Sequence, residues 1–389
     1  MPWKEATLLT LRKEFVHLAD QPNANMSQLC RRFEISRKTG YKWLRRWRKE
    51  GTEGLMDRSR RPHHSPNQTS EEVEQQVLKA YKQYKEWGAR KLRARMKRMI
   101  REGSLAMSLG QLPASSTILR ILKRHDKWEP RDYGPGTDAA TGRFERDRPN
   151  SLWQLDFKGE FPLEDGSLCY PLTLLDDYSR FNLGLRACPD MRRSTVKKQL
   201  TGIFTRYGLP EEILADNGAP WGSGLRTDDN RPYYTKLGVW LMRLGIRLIH
   251  SRPMHPQSHG KNERFNGTLK AELLYYEHFR ELEHAQQRFN WWRDRYNLER
   301  PHQALDDQVP MDRYTSSQRS FPETLPPVEY APTDELRKVD AGGAIYYQGG
   351  KYNVGKAFSG YQVAVRPQKD RGCPMVYFCN QSVRELPLD

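Results

Sequence analysis

The sequence holds 389 residues, with 65 Lys and Arg against 48 Asp and Glu, a formal net charge of +17, and 37% hydrophobic residues including ten Trp and nineteen Tyr. This length fits two to four domains, and the apolar content excludes a wholly disordered chain. No run of eighteen apolar residues exists to span a bilayer, and the start MPWKEATLLTLRKEF has no signal-peptide apolar region, so the expectation is a chain of the cytoplasm, bacterial in character, with no membrane partner.

Residues 1–150 carry 33 Lys/Arg against 18 Asp/Glu, and residues 151–389 carry 32 against 30, so nearly all the excess charge lies in the first part. A polyanion such as DNA is the natural partner of such a stretch, because each neutralised phosphate releases a counterion; a merely basic surface is the plainer reading. Within residues 1–52, Ser27 is placed to cap a short helix, SQLCRRF. Glu34 and Ile35 give a turn, and Ser36 caps RKTGYKWLRRWRKEG. Leu29, Phe33, Ile35, Trp43, Leu44 and Trp47 form the expected buried face. Two short helices about a tight turn, the second basic, fit a helix-turn-helix, with Arg37, Lys38, Thr39 and Lys42 offered to base edges or phosphates.

Residues 53–70 read as a basic linker in which Arg58, Arg60 and Arg61 resemble minor-groove arms, or simply a connector. Residues 71–125 return to basic helices and a second helix-turn-helix-like module, with Ser115 or Ser116 as a cap and Ser116 and Thr117 as DNA candidates. Residues 126–147 form another linker.

From 148 to 310 the pattern is strand, strand, strand, helix, strand, helix, strand, helix, helix. That order is the one of the α/β ribonuclease H-like fold, with a mixed sheet. Asp156 ends the strand SLWQLDF, Asp216 follows EEILA and precedes the turn pair Asn217-Gly218, and Glu263 opens the helix GKNERFNG. Carboxylates at strand ends emerge at the rim of such a sheet, and three of them are hard ligands suited to magnesium or manganese. Each also has a plain explanation: an Asp before Asn-Gly makes a turn, and a Glu in a first helical turn favours the helix dipole. Asp176 and Asp177, before Tyr178-Ser179-Arg180, are expected to cap a turn. Residues 311–334 connect to 335–389, where five short β-type runs suggest a small β barrel. The five cysteines, Cys30, Cys169, Cys188, Cys373 and Cys379, show no paired CxxC and no zinc spacing, so free thiols in a reducing compartment are expected.

LWQLDF, LLDDYSRF, ILADNGAPW, HPQSHGKNERFNGTLKAEL and YNLERPHQAL together resemble the catalytic core of insertion-sequence transposases related to retroviral integrases. The resemblance covers about residues 148–310. It implies that Asp156, Asp216 and Glu263 are the catalytic triad and bind two divalent ions, Mg2+ or Mn2+. It further implies cleavage at transposon ends and joining of a 3′-hydroxyl to target DNA. The partners would be transposon-end and target DNA, bound by a homodimer or larger homo-oligomer. His255, Gln257, Ser258, Lys261 and Lys270 fall where that family contacts DNA. One departure is the 46 residues between Asp216 and Glu263, longer than is typical, with GSGLRTDDNRPYYT as the apparent insertion. The whole is thus a multidomain α+β chain: N-terminal all-α helix-turn-helix modules, a central α/β core with a mixed sheet, and a C-terminal small β barrel. The rival reading is a catalytically silent, transposase-derived DNA-binding protein.

Overall fold

The structure, a computed structural model, describes residues 8–58, 69–128, 145–222, 234–250, 260–368 and 373–387. It divides into two units, Met1–Gln68 and Thr69–Asp389. The first contains α1 (Leu8–Ala19), α2 (Met26–Arg32) and α3 (Arg37–Glu50). Ser36 caps α3 as expected, its Oγ accepting from the Thr39 N–H at 3.1 Å. The cap of α2 is Asn25, not Ser27: its Oδ1 accepts from the Gln28 N–H at 3.1 Å, and the helix begins at Met26. Glu34, in the left-handed region at φ 53°, makes the turn. Phe15, Val16, Cys30, Trp43, Leu44 and Leu55 close the core, with Leu29, Phe33, Ile35 and Trp47 packed at its border.

This small core depends on Gly40, where a Cβ would lie 2.7 Å from Cys30 Sγ and 2.9 Å from the Phe15 ring. Gly40→Val should therefore force α3 off α1 and α2 and destabilise this unit by ~1–3 kcal/mol. Limited proteolysis of the full chain should show early cleavage within residues 1–68, while the second unit stays resistant; equal resistance throughout would contradict the packing.

The second unit opens with α4 (Glu71–Gln83), α5 (Ala89–Arg101) and α6 (Ser115–Arg124) around Val77, Ala80, Leu92, Met96, Ile118 and Ile121. Ser115 is already the first residue of α6, and Ala114 stands at the cap position, so neither serine caps it.

The sheet follows: β1 (Leu152–Phe157), β2 (Phe161–Pro162), β3 (Leu168–Asp176), β4 (Asn182–Cys188), α7 (Arg193–Tyr207), β5 (Glu212–Ala215), α8 (Lys236–Arg243), β6 (Arg247–His250), α9 (Gly260–Leu269) and α10 (Leu282–Leu298). β3 pairs antiparallel with β1 and β4, while β5 runs parallel to β1 and to β6, giving a mixed sheet. Strand alternation sends Trp153 and Leu155 toward α7 and α8, and the other face packs on Phe265 and Leu269 of α9 and Phe289 and Trp292 of α10. The outer edge of β4 is covered by α10. Gln286 accepts from Ala187 N–H and donates to Leu185 C=O, and Asn297 does the same for Asn182, satisfying groups that an exposed edge would offer to another strand.

The α4–α6 helices rest against α10: the Arg295 guanidinium lies 4.9 Å from the Tyr84 ring centroid and 5.1 Å from that of Trp87, and pairs with Glu86 at 3.0 Å. No helix among the described residues is long and apolar enough to cross a membrane.

The C-terminal strands are β7 (Glu335–Lys338), β8 (Ala344–Tyr347), β9 (Gly350–Asn353), β10 (Gln362–Arg366), β11 (Met375–Phe378) and β12 (Gln381–Glu385). They form a four-stranded antiparallel sheet in the order β12-β11-β10-β7 and a separate β8–β9 hairpin. The expected barrel is thus not closed among the described residues. Its physical counterpart is α8: Val239 and Met242 enter the same cluster as Ile345, Phe358, Val365 and Phe378, so a helix of the core covers apolar surface that closure would otherwise bury.

Candidate active site

The parallel register of β1 and β5 pairs Leu152 with Glu212, Trp153 with Ile213 and Gln154 with Leu214. Continued two residues, it sets Asp156 and Asp216 side by side at the strand ends. Asp156 shares the Gln154 face of β1, away from the core position of Leu155, and looks toward α9. There its Oδ2 accepts from Asn266 Nδ2 at 2.9 Å. Half-burial first and the neighbouring Asp216 charge second push its carboxyl up to about 6; the Asn266 bond only partly offsets them.

Asp216 is exposed, and its Oδ1 accepts from the Gly218 N–H at 3.0 Å and from the Trp221 indole. Asn217-Gly218 thus forms the turn that aims the carboxylate. Trp221 is 2% exposed and stacks on Phe157, ring centroids 5.3 Å apart, so one aromatic pair braces both strand ends. His250 Nδ1 meets the Asp216 carbonyl at 2.8 Å from the neighbouring β6.

Glu263 lies in the first turn of α9, exposed and one turn before Asn266. Among the described residues no three His, Cys, Asp or Glu side chains converge at metal-ligand spacing. The fold brings the two aspartates together, and Glu263 sits one turn before Asn266, the α9 residue that bonds to Asp156.

The other candidates are spread over the chain. Arg37, Lys38 and Lys42 are exposed on α3, Thr39 is half-buried, and Arg58 is ion-paired with Glu50 at the end of that helix. Ser116 is exposed on α6, and Thr117 accepts from Arg120 at 3.3 Å. Lys270 is exposed seven residues after Glu263, where α9 passes into a π-turn at Lys270–Leu274. Lys261 directs its ammonium onto Asp177 at 2.7 Å. Arg60, Arg61, His255, Gln257, Ser258 and most of the GSGLRTDDNRPYYT insertion lie outside the described residues.

Asp176 caps its turn as expected, accepting from Ser179 N–H at 2.7 Å, Ser179 Oγ at 2.6 Å and Asn150 N–H at 2.8 Å. Other structural roles were not apparent from the sequence. Arg300, in ERPHQAL, holds Glu272 of the π-turn at 2.9 Å with both side chains under a tenth exposed, while Lys91 of α5 approaches the same carboxylate at 3.6 Å. The His302 ring stands edge-on to Tyr296, centroids 4.8 Å apart. That segment straps the far end of the α9 helix to α10 and α5. Only a long-range partner gives these residues meaning, and no spacing rule names Glu272.

The family described as Integrase core domain matches residues 146–256, and a second of the same description matches 244–310. A Helix-turn-helix domain family matches 11–63, a Homeodomain-like domain family 39–122, and the family described as IS481 family transposase, C-terminal domain, matches 334–388. The chain is 27% identical over 165 residues, 42% of it and 55% of the relative, to the insertion element IS407 uncharacterized 31.7 kDa protein of Burkholderia multivorans. It is 26% identical over 172 residues, 44% of it and 46% of the relative, to the insertion element IS476 uncharacterized 39.2 kDa protein of Xanthomonas euvesicatoria. A third similarity, 31% over 142 residues, is to the Gag-Pol polyprotein of feline leukemia virus, covering 36% of this chain and 7% of that one. The matched stretch spans about half the length of the two insertion-element relatives. With integrase-core, helix-turn-helix and transposase C-terminal matches in one chain, the similarities are those of an insertion-sequence transposase of the integrase superfamily.

Proposed function

We propose that this protein is a DNA transposase that binds the terminal inverted repeats of its element, cleaves at the ends and joins the 3′-hydroxyls to target DNA. The observation that carries the reading is the pair Asp156 and Asp216 at adjacent ends of parallel strands, with Asp156 held neutral-leaning by burial and by its neighbour. Two carboxylates kept close against their repulsion fit a divalent cation, whose charge would offset it. Asp156, Asp216 and Glu263 would hold Mg2+ or Mn2+, two ions per site. Bound there, the ions would activate an attacking oxygen and stabilise the leaving one. The chain's own part is placement: Asn266 orients the Asp156 carboxylate, and the Gly218 turn and Trp221 orient that of Asp216.

The core would occupy residues 148–310 on a ribonuclease H-like plan, with end-binding modules at 1–52 and 71–125, linkers at 53–70, 126–147 and 311–334, and a C-terminal β domain at 335–389. Arg37, Lys38, Thr39, Lys42 and Arg58 of the first module, with Ser116 and Thr117 of the second, would meet the end sequence. Lys270, with His255, Gln257 and Ser258, would meet phosphates near the cut. Pairing two ends calls for a dimer or larger assembly on DNA. The test is strand transfer with magnesium, a duplex carrying the terminal repeats that flank the gene, and a supercoiled target. Joined products that disappear with EDTA support the reading. Tight, specific end binding with no joining under any divalent ion would overturn it in favour of a silent DNA-binding descendant.

A further inference from the structure

The LLDDYSRF segment contains a carboxylate for which the reaction has no use. Asp177 is fully buried, and three separate parts of the chain converge on it. From β1, Gln154 Nε2 donates to Oδ1 at 2.8 Å. From α9, Lys261 Nζ meets Oδ1 at 2.7 Å and also donates to the Asp177 carbonyl at 3.2 Å. From the stretch entering the core, the Arg146 N–H donates to Oδ2 at 2.9 Å. Arg180, three residues on, donates to the Asp177 and Tyr178 carbonyls and pairs with Glu145 at 3.0 Å, which fixes the same entry stretch.

The spacing of these partners is informative. Gln154 precedes Asp156 by two residues on one strand face, and Lys261 lies in the first turn of α9, the turn that also carries Glu263. A buried carboxylate with a fixed donor from each element sets the height of that turn over the strand. Hydrophobic contact alone does so loosely, because Phe265 and Leu269 grip α9 further along.

We infer that Asp177 and Lys261 are positioning residues: their ion pair, anchored on Gln154, holds the start of α9 so that Glu263 stands in register with Asp156. This deepens the strand-transfer reading and rests on it. It also assigns Lys261 a place inside the protein in preference to a DNA phosphate.

The experiment uses the full chain in the strand-transfer assay, with end-duplex affinity and Tm measured on the same samples. Asp177→Asn and Lys261→Met should each lower the joining rate by on the order of 10–100-fold, the cost of an ångström-scale misplacement. End-duplex Kd should be unchanged in both. Lys261→Met also strands a buried charge and should melt earlier; the double variant Asp177→Asn/Lys261→Met removes both charges and should recover Tm without recovering rate. Lys261→Arg, which can still pair, should restore most of the joining lost in Lys261→Met. Recovery of both Tm and rate in the double variant would reduce the pair to a stability element and overturn the inference. So would weakened end binding by Lys261→Met at unchanged maximal rate, which would return Lys261 to DNA contact. Failure of the wild-type protein to join DNA would sink the transposase reading instead, and is told apart by that control.

Discussion

Asp156→Asn should abolish strand joining, by on the order of 10³-fold or more, and at the same time make the metal-free protein more stable. The first effect follows if the carboxylate holds a divalent ion, since several kcal/mol of charge stabilisation leave with it. The second follows from the site itself. The Asp156 carboxyl is raised from 3.8 to about 6 by burial and by Asp216. Below about pH 4 it is neutral in folded and unfolded chains alike. Between about pH 4 and pH 6 the unfolded chain ionises it while the folded chain keeps the proton, so stability falls across that window and stays lower above it. At pH 7 to 8 the deficit is ~1–3 kcal/mol after allowance for partial exposure. Asparagine removes it and keeps an oxygen for Asn266. In EDTA the variant should therefore melt above wild type by a few degrees. Adding Mg2+ or Mn2+ should raise the wild-type Tm and leave the variant nearly unmoved. A metal-induced shift of equal size in both would place the ion elsewhere.

Removal of residues 335–389 should cost the catalytic core its stability, although these strands form their own sheet. Val239 and Met242 of α8 are 2% and 3% exposed only because they lie among Ile345, Phe358, Val365 and Phe378. Further ties are Tyr234 edge-on to Phe358 at 5.0 Å, Gln381 Nε2 donating to the Ile246 carbonyl at 3.0 Å, and Arg243 set 5.8 Å from the Tyr361 ring centroid. Exposing the two apolar side chains alone forfeits ~3–6 kcal/mol, a large part of an ordinary folding free energy. The opposite face of α8 carries Leu237, Trp240 and Leu241 of the main core, so loosening this helix loosens the sheet beside Asp216. The 1–334 chain is expected to aggregate on expression or to melt on the order of 10 °C lower. Val239→Ser/Met242→Gln in the truncated chain should recover part of its solubility. An unchanged Tm on truncation would mean that the C-terminal sheet is an independent appendage.

The elements that the sequence made legible are those whose signal is local. Ser36 before a basic helix, the turn at Glu34, the apolar strand LWQLDF and the Asn217-Gly218 turn are set by neighbours a few residues away, and each is found in place. The departures come where local chemistry offered two solutions. Asn25 and Ser27 are both competent caps, and Asn25 takes the role because the helix starts at Met26. Short strands separated by Gly and Pro are compatible with a barrel or an open sheet. The choice fell to an open sheet, with α8 burying part of its apolar surface.

Composition, periodicity and turn signals by themselves determined the class of the chain and the run of its helices and strands; the family came from the resemblance its motifs carry. They did so because hydrophobic periods, caps and turns act over a few residues. Which carboxylates meet, and what holds them, belonged to the tertiary structure. Asp156 and Asp216 are 60 positions apart and become neighbours only through the β1–β5 register. Asp177 reads as a turn residue until Lys261, 84 positions on, is folded against it. Glu272 and Arg300 acquire a role only as a buried pair. Burial, mutual charge and a partner's approach change what a side chain can do, and each depends on contacts that no local stretch of sequence contains.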